Sequence, residues 1–267
     1  MSNIIPLMDW LRPHHLSGGG DAFLYYVVFG TIEGDLVLSR EKYRCNGVPE
    51  EIEIQSYRSD AHAEVLDDFR SGYLWDCLRE SEPALHAAIA AQSQCVVVRG
   101  TLRDPPDLGY FRDTIGVLTC LLDVGGVGIY DPQSFAWWSR SSWRSRVFDP
   151  AAPLPHEHVV ILMSDESDGS RWFHTRGLRK FGRPDLSIHD VPRCHCAAVE
   201  DLFNRFIELQ AFGGIISEGQ PIRMASLPPG MYCVHRGDED DPEFNNRHVE
   251  VLWPDQAERG EDNAGCC

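Results

Sequence analysis

The chain is organised around HTRGLRKFGRPDLSIH, residues 174–189. This stretch places four cations, Arg176, Arg179, Lys180 and Arg183, between two glycines, a proline and two histidines. The whole chain has 41 acidic against 24 basic residues and a formal charge of −17. Two explanations for so basic an island remain open: a structural corner, or a binding site for an anionic ligand.

The corner explanation follows from the residues between the cations. Gly177 and Gly182 permit sharp turns, because glycine adopts backbone conformations closed to other residues. Leu178 and Phe181 are spaced to bury one side of a short helical turn. Pro184 then restricts the preceding residue to extended geometry. The stretch therefore predicts a tight turn that leads into a strand at 186–188.

The segments around this corner predict strands and one helix. Residues 158–163 and 171–174 flank a polar loop and predict a hairpin. Residues 199–209 predict an amphipathic helix that Gly213-Gly214 ends, since glycine supplies the left-handed conformation after a helix. Residues 231–235 and 248–253 predict the last two strands.

The first half of the chain predicts further strands and helices. Residues 22–29 are rich in β-branched and aromatic side chains and predict a strand that forms a hairpin with 36–39. Residues 51–56 alternate polar and apolar side chains and predict a second strand. Two helical pieces follow within 60–92, and 95–98 predicts a buried strand.

The next helix has the clearest start signal. Asp104 is a candidate N-cap and Pro105 fits a first turn, and apolar residues then recur every three or four positions up to Gly125-Gly126. Residues 126–130 predict a short strand. Asp131-Pro132 repeats the start signal and predicts that 135–146 is helical from its beginning.

Clustered strands with interspersed helices predict the α+β class rather than strict βαβ alternation. We expect a mixed or mainly antiparallel sheet with helices packed on it, in a single large domain. The predicted limits are a flexible N-terminal segment at 1–20, the α+β domain at 21–254 and a disordered acidic tail at 255–267.

Composition limits the functional classes. An acidic chain lacks the clustered Lys and Arg that general affinity for nucleic-acid phosphates requires, and it favours basic partners instead. No window approaches the roughly 18 consecutive apolar residues of a membrane span, and residues 1–11 lack the pattern of a secretory leader. We predict a cytoplasmic protein with no nucleic-acid or membrane partner; its oligomeric state is left open.

Catalytic and metal signatures are missing from the sequence. It contains no phosphate-binding Gly-Lys-Ser or Gly-Lys-Thr, no Gly-x-Ser-x-Gly and no His-Glu-x-x-His. Cys194-His195-Cys196 and His156-Glu157-His158 each offer two ligands, but neither set is completed to the four that structural zinc needs. We therefore nominate no catalytic residue, no metal ligand and no cofactor. His174 and His189 remain candidates for a general base.

A second group combines tryptophans with arginine. Trp137, Trp138 and Trp143 lie close to Arg144, and such residues dominate protein-binding hot spots; core tryptophans beside a solvated arginine face are the alternative. Two arrangements stay open for this group and the island together: one cationic groove, or internal pairing of the cations with the chain's surplus carboxylates. The predicted binding residues are His174, Arg176, Arg179, Lys180, Arg183, Asp185, Trp137, Trp138, Trp143 and Arg144.

Two motifs carry a resemblance to a known family. A Gly-rich strand ending in Tyr130 precedes the Trp-containing segment, and Thr175, Gly177, Leu178, Phe181, Gly182, Pro184 and Asp185 match a later Thr-x-Gly-Leu-x-x-Phe-Gly-x-Pro-acid motif. These resemble an uncharacterised bacterial family, across residues 95–210. The second motif is more remotely similar to suppressor-of-fused-like proteins, which include immunity proteins encoded beside polymorphic toxins. Asp185 stands where relatives have Glu, and the resemblance brings no catalytic residues.

Three functions follow as hypotheses. The first is a non-enzymatic immunity protein that neutralises a basic bacterial toxin, since acidic inhibitors gain association rate against basic targets. The second is a hydrolase or transferase that binds an anionic substrate at the island, with His174 as acid or base; burial of His174 against the sheet would count against it. The third is a secretion-system accessory or chaperone.

Overall fold

The computed structural model describes residues 9–33 and 36–254. The chain divides into two compact units, one formed by Met1–Leu11 and Ala22–Glu157 and the other by Arg12–Asp21 and His158–Cys267. The predicted tail at 255–267 and the first eight residues of the predicted N-terminal segment lie outside the described residues.

The first unit contains an antiparallel five-stranded sheet. Its strands stand in the order β2-β3-β1-β4-β5. The apolar strand β1 lies at the centre, and it is almost entirely buried because it has a neighbour on each side. The strands are β1 (Ala22–Gly30), β2 (Ile52–Arg58), β3 (Gln94–Leu102), β4 (Gly126–Asp131) and β5 (Ala136–Ser139).

Helices cover this sheet. The longest, α5, is buried along most of its length, as expected for a helix whose apolar residues extend around its circumference. Short α6 continues into a π-helical turn at Arg144–Phe148. The helices are α1 (Arg40–Tyr43), α2 (Ala63–Phe69), α3 (Gly72–Ser81), α4 (Pro83–Ala90), α5 (Gly109–Asp123) and α6 (Arg140–Trp143).

The second unit contains a mixed sheet and one long helix, α7 (Cys196–Ala211). The strand order is β6-β7-β8-β10-β9, antiparallel except for the parallel pair β8 and β10. One sheet face packs on α7, where Phe173 meets Phe203 edge to face at 6.5 Å. The strands are β6 (Val160–Asp165), β7 (Arg171–Arg176), β8 (Asp185–Val191), β9 (Tyr232–Arg236) and β10 (His248–Leu252).

The predicted α+β class is confirmed, with two mostly antiparallel sheets in place of one. The predicted hairpin between 22–29 and 36–39 is wrong. Strand β1 pairs with β3 and β4, and the side chains of Leu36 and Leu38 pack on the cluster around Tyr43. A strand that is apolar on both faces is typical of the interior of a covered sheet, and the hydrogen-bonding neighbours of β1 come from distant segments. The helical region 60–92 forms three helices instead of two.

Both predicted Asp-Pro helix starts are wrong. Helix α5 begins at Gly109, and Asp104 has a left-handed φ of 31°. Asp131 accepts hydrogen bonds from the backbone of Gln133 and Ser134 and so closes the turn between β4 and β5. An Asp-Pro pair fits a tight turn as well as a helix cap, and only the strand partners distinguish the two.

Residues 9–21 make specific contacts in the structure. The indole of Trp10 donates to the carbonyl of Ala151 at 3.0 Å within the first unit. Arg12 is buried in the second unit and donates to the carbonyls of Phe181 and Ala211 at 2.7 and 3.2 Å. The predicted domain limits stay predictions. In the described part of the chain, no helix is long and apolar enough to cross a membrane.

Candidate functional site

The predicted corner is a single helical turn between two left-handed glycines. Residues Leu178–Phe181 form a 3-10 turn, with φ of 113° at Gly177 before it and 63° at Gly182 after it. A side chain at Gly177 would overlap the carbonyl oxygen of His158. These contacts confirm the turn predicted from the spacing, and they bring the basic island into the interior of the second unit.

Arg183 is a buried structural cation. Its side chain is 2% exposed. Its Nε donates to the carbonyl of Gly214 at 3.0 Å, and its two terminal nitrogens donate to those of Gly182 and Gly213 at 2.8 Å each and to that of Leu16 at 3.3 Å. The carbonyls at 213 and 214 follow the end of α7, where helices leave acceptors unsatisfied. Arg183 therefore ties three chain segments together.

The other island cations also have internal neighbours. Lys180 is fully buried, and burial, with the Lys180 charge as the second cause, holds the pKa of His158 well below its ordinary value. Arg179 donates to the carbonyl of Asn245 at 2.8 Å. The guanidinium of Arg176 lies 5.0 Å from the ring centre of Phe244, a cation–π distance.

Asp185 is the buried acceptor at the centre of the corner. Its carboxylate accepts from the hydroxyl of Thr175 at 2.9 Å, the backbone N–H of Leu178 at 3.3 Å and the amide of Asn246 at 2.7 Å. Burial raises the pKa of Asp185 to about 6 in spite of these hydrogen bonds and the nearby Arg176. Its position at the start of β8 thus joins β7, the turn and the segment before β10.

His174 lies against the sheet. It is 8% exposed, its ring stacks on Trp172 with centroids 4.0 Å apart, and its Nδ1 has no hydrogen-bond partner. Burial, followed by the charges of Arg176 and His189, lowers the pKa of His174 to about 4. A histidine of this kind is neutral at pH 7, so it is not the imidazolium that a general acid requires, and its lowered pKa makes it a weak base. This burial counts against the predicted acid–base role.

His189 instead forms an exposed pair with a carboxylate. Its Nδ1 lies 2.9 Å from Oε1 of Glu166, and 44% of its side chain is exposed. Ser170 and the backbone N–H of Asp190 donate to Oε2 of Glu166 at 3.0 and 2.8 Å. Burial raises the pKa of Glu166, but the hydrogen bonds from His189, Asp190 and Ser170 outweigh it and hold that pKa below its ordinary value. Such a carboxylate orients an imidazole.

Sequence reasoning named His189 and missed Glu166. The two residues are 23 positions apart, and the turn between β6 and β7 brings them together. The polar turn at 165–169 was the available signal.

The tryptophan group belongs to the first unit, whereas the island belongs to the second. Trp143 is fully buried and donates to the hydroxyl of Thr119 at 2.9 Å. Trp138 is buried, and Trp137 stacks on Tyr130 with centroids 4.0 Å apart. Arg144 donates to both carboxylate oxygens of Asp123, at 2.9 and 3.0 Å. These contacts correspond to the core alternative for this group.

An acidic helical surface in the first unit was not singled out from the sequence. We define it as residues 60–82, the segment containing α2 and α3. Tyr73 is 79% exposed within it, and Arg70 donates internally to the carbonyls of Leu66 and Gln92. Its exposed carboxylates are those of Asp60, Glu64, Asp67, Asp68, Asp76, Glu80 and Glu82.

A pocket of about 310 Å³ in the second unit was also missed. It lies where β9 ends and β10 begins, and Arg183, Arg236, Arg247 and His248 are among its lining residues. Arg236 and His248 are cross-strand partners. These residues flank an acidic loop in the sequence, which hid their convergence.

Comparison with protein-family models, with curated proteins and with solved structures finds no match for this chain. The resemblance drawn from the Gly-rich strand and the corner motif therefore stays a prediction. Within 9–33 and 36–254, no group of three or more His, Cys, Asp or Glu side chains is arranged to hold a metal ion.

Proposed function

We propose that this protein is a non-enzymatic binding protein that recognises a basic protein through the acidic helical surface, as an immunity protein recognises a toxin. One observation carries the proposal: residues 60–82 expose seven carboxylates and the ring of Tyr73. The net charge of −17 acts in the same direction.

The charges of this surface are available to a partner. Asp67 and Asp76 pair with Arg70 and Arg79 on their own helices, at 3.3 and 3.0 Å. Within the described residues, the other exposed carboxylates of the surface form no ion pair. Carboxylates of this kind increase the rate of association with a basic partner through long-range attraction.

Tyr73 supplies aromatic contact area, which the carboxylates lack. Exposed ion pairs contribute little to affinity, about 0–1 kcal/mol each, whereas buried aromatic side chains dominate hot spots. Tyr73 is at the start of α3 and its ring is solvent-exposed. We therefore expect the carboxylates to set the association rate and Tyr73 to set the dissociation rate.

Affinity capture from the native host, followed by mass spectrometry, tests the proposal. The tagged protein is compared with Tyr73→Ala and with the triple variant Glu64→Gln, Asp68→Asn, Glu80→Gln. The matched control removes three exposed carboxylates from α7 in the second unit, as Glu200→Gln, Asp201→Asn, Glu208→Gln. We expect a basic partner that is lost at high salt, and association with the first triple variant slowed about tenfold or more.

Two outcomes would overturn this proposal. One is capture of the partner by the surface variant as efficiently as by the α7 control. The other is a partner whose capture does not depend on salt. Co-expression separates the partner classes: an immunity protein restores growth of cells that make the partner, whereas a captured cargo without toxicity favours the secretion-accessory hypothesis.

The enzyme hypothesis keeps one specific observation, the His189–Glu166 pair. The carboxylate of Glu166 orients the His189 ring through Nδ1, and 44% of the side chain is exposed, an arrangement suited to a general base. A hydrolase or transferase acting at this pair would lose activity in His189→Ala and keep it in the buried variant His174→Phe. Equal activity of both variants and the unmodified protein would remove this candidate.

A further inference from the structure

The pocket between β9 and β10 is cationic in an acidic chain. Its described lining contains three arginines and two histidines and no Asp or Glu. Its volume of about 310 Å³ lies at the lower end of the roughly 300–1,000 Å³ of small-molecule sites. A concentration of positive charge in a concave site attracts anions.

Several arginine donors in this pocket have no acceptor among the residues that the structure describes. Arg236 donates through Nε to Glu250 at 3.1 Å, and its two terminal nitrogens donate to no group among the described residues. Arg247 contacts the carbonyl of Gly19 at 3.4 Å and Glu239 at 4.0 Å, both through Nη2. Its Nε and Nη1 have no partner in the described chain. Two guanidinium edges are therefore available to one ligand.

The ring of His248 forms part of the pocket wall. It stacks on Phe244 with centroids 4.1 Å apart and an interplanar angle of 18°. Its Nδ1 is buried and has no hydrogen-bond partner among the described residues. Because this nitrogen is screened from solvent, the pocket's available donors are those of its arginines.

Residues 18–20 are a run of three glycines, of which Gly18 and Gly19 line the pocket. Gly18 and Gly20 have φ of 87° and 126°, and a side chain at Gly19 would overlap the guanidinium of Arg183. The segment can lie against Arg183 only because it carries no side chain. Arg183, fixed by its carbonyl partners, then adds a rigid positive charge to the pocket wall.

We infer that this pocket binds a small phosphorylated molecule, with Arg236 and Arg247 holding the phosphate and the fixed charge of Arg183 attracting it. Guanidinium groups bind phosphate through paired, charge-assisted hydrogen bonds. A phosphate has enough oxygens to accept paired hydrogen bonds from two guanidinium groups at once, whereas a carboxylate has only two oxygens.

Four acidic residues lie next to the lining. Glu239 and Glu250 each contact an arginine, Glu218 accepts from the backbone N–H of His235, and Asp241 lies beside Gly237. None of these contacts occupies the remaining donors of Arg236 and Arg247.

Isothermal titration of the full-length protein at constant ionic strength tests the inference. The probes are inorganic phosphate, ribose 5-phosphate and acetate, with chloride as the background salt. The variants are Arg236→Gln with Arg247→Gln, and Arg247→Gln alone in case the double variant does not fold. The control is Arg205→Gln, an exposed arginine of the same unit that pairs with Asp201 at 2.8 Å.

We expect both phosphate probes to bind, ribose 5-phosphate the more tightly, and acetate to bind more weakly than either. The variant lacking Arg247 should bind phosphate about tenfold more weakly than the control, since one charge-assisted hydrogen bond is worth roughly that factor. Absence of phosphate binding, acetate binding equal to phosphate, or equal affinities in variant and control would each overturn the inference. Because these arginines lie outside the acidic helical surface, none of these results would decide the proposed function.

Discussion

The basic corner at 174–185 and the acidic helical surface at 60–82 use charge in opposite ways. Both are clusters of one sign in the sequence. In the corner, Arg183 and Lys180 are 2% and 0% exposed, and Arg183 donates to backbone carbonyls. On the helices the carboxylates face solvent. The density of charge in a sequence therefore does not indicate whether the charges are exposed.

The difference follows from the hydrogen bonds that each charged group can make. A guanidinium has five donors in a rigid plane, and a chain that turns at Gly177, Gly182 and Gly213-Gly214 leaves carbonyls that need donors. A carboxylate only accepts hydrogen bonds and is expensive to bury. Asp185 is the exception, since three donors surround it. On α2 and α3 the apolar residues Leu66 and Leu78 face inward, so the carboxylates remain outside.

The sharpest test of the comparison is Arg183→Met. Loss of four acceptor contacts should lower the free energy of unfolding by about 6 kcal/mol or more, because hydrogen bonds to charged groups contribute roughly 1.5–3 kcal/mol each and buried carbonyls are left unpaired. Urea-induced unfolding followed by circular dichroism measures the change. Arg205→Met, at an exposed position on α7, should leave the midpoint within error. Similar midpoints for both variants would show that the corner is not held by Arg183.

A change of pH should alter the free energy of unfolding through His174, by less than the loss of Arg183 does. His174 has a pKa lowered to about 4 in the folded chain, so the unfolded chain binds more protons between that value and the ordinary pKa near 6.5. Stability from neutral His174 is therefore present above about pH 6.5 and is lost as pH falls towards 4. As the pH falls from about 7 to 4.5, the free energy of unfolding of His174→Phe should rise by about 2–3 kcal/mol relative to that of the unmodified protein.

The control for this titration is Leu162→Ala, which truncates the cross-strand partner of His174 and removes no titrating group. Its stability difference should not change with pH. Asp185, whose pKa is raised to about 6, stabilises in the opposite direction, towards acid, but it is present in all three proteins and cancels. A His174→Phe difference that is constant with pH would contradict the assigned burial.

Substitutions on the acidic helical surface should have the smallest effect on the stability of the fold. The triple variant Glu64→Gln, Asp68→Asn, Glu80→Gln should leave the urea midpoint within error or raise it slightly, because removing like charges relieves self-repulsion. The same unfolding measurement as for Arg183→Met checks this. A clear fall in the midpoint would mean that these carboxylates support the fold and would remove the contrast with the corner.

Local signals in the sequence predicted several elements correctly. The turn at Leu178–Phe181, the hairpin of β6 and β7, helix α7 and the existence of strands β9 and β10 all follow from residues close together in the chain. Glycine spacing and apolar periodicity report local geometry directly. The partners of β1 and the role of Asp131 were not predictable in this way, since each depends on segments far apart.

The candidate sites differ in the same way: one is formed by residues close together in the chain and the other by distant segments. His174, Arg176, Arg179, Lys180, Arg183 and Asp185 were named together, and the structure places them in one corner, with Arg183 bonded to backbone carbonyls and Asp185 to three donors. The pocket that contains Arg236 and Arg247 combines residues 18–19, 183–184, 215–216 and 235–248. No spacing rule joins such segments.

The sequence by itself determined the α+β class, the acidic balance and the tight basic turn, because each depends on composition or on neighbouring residues. Only the tertiary structure decided which charges are buried, which histidine meets a carboxylate and where free guanidinium edges converge. Those outcomes depend on which donors and acceptors distant segments bring together, and on the water that their packing excludes.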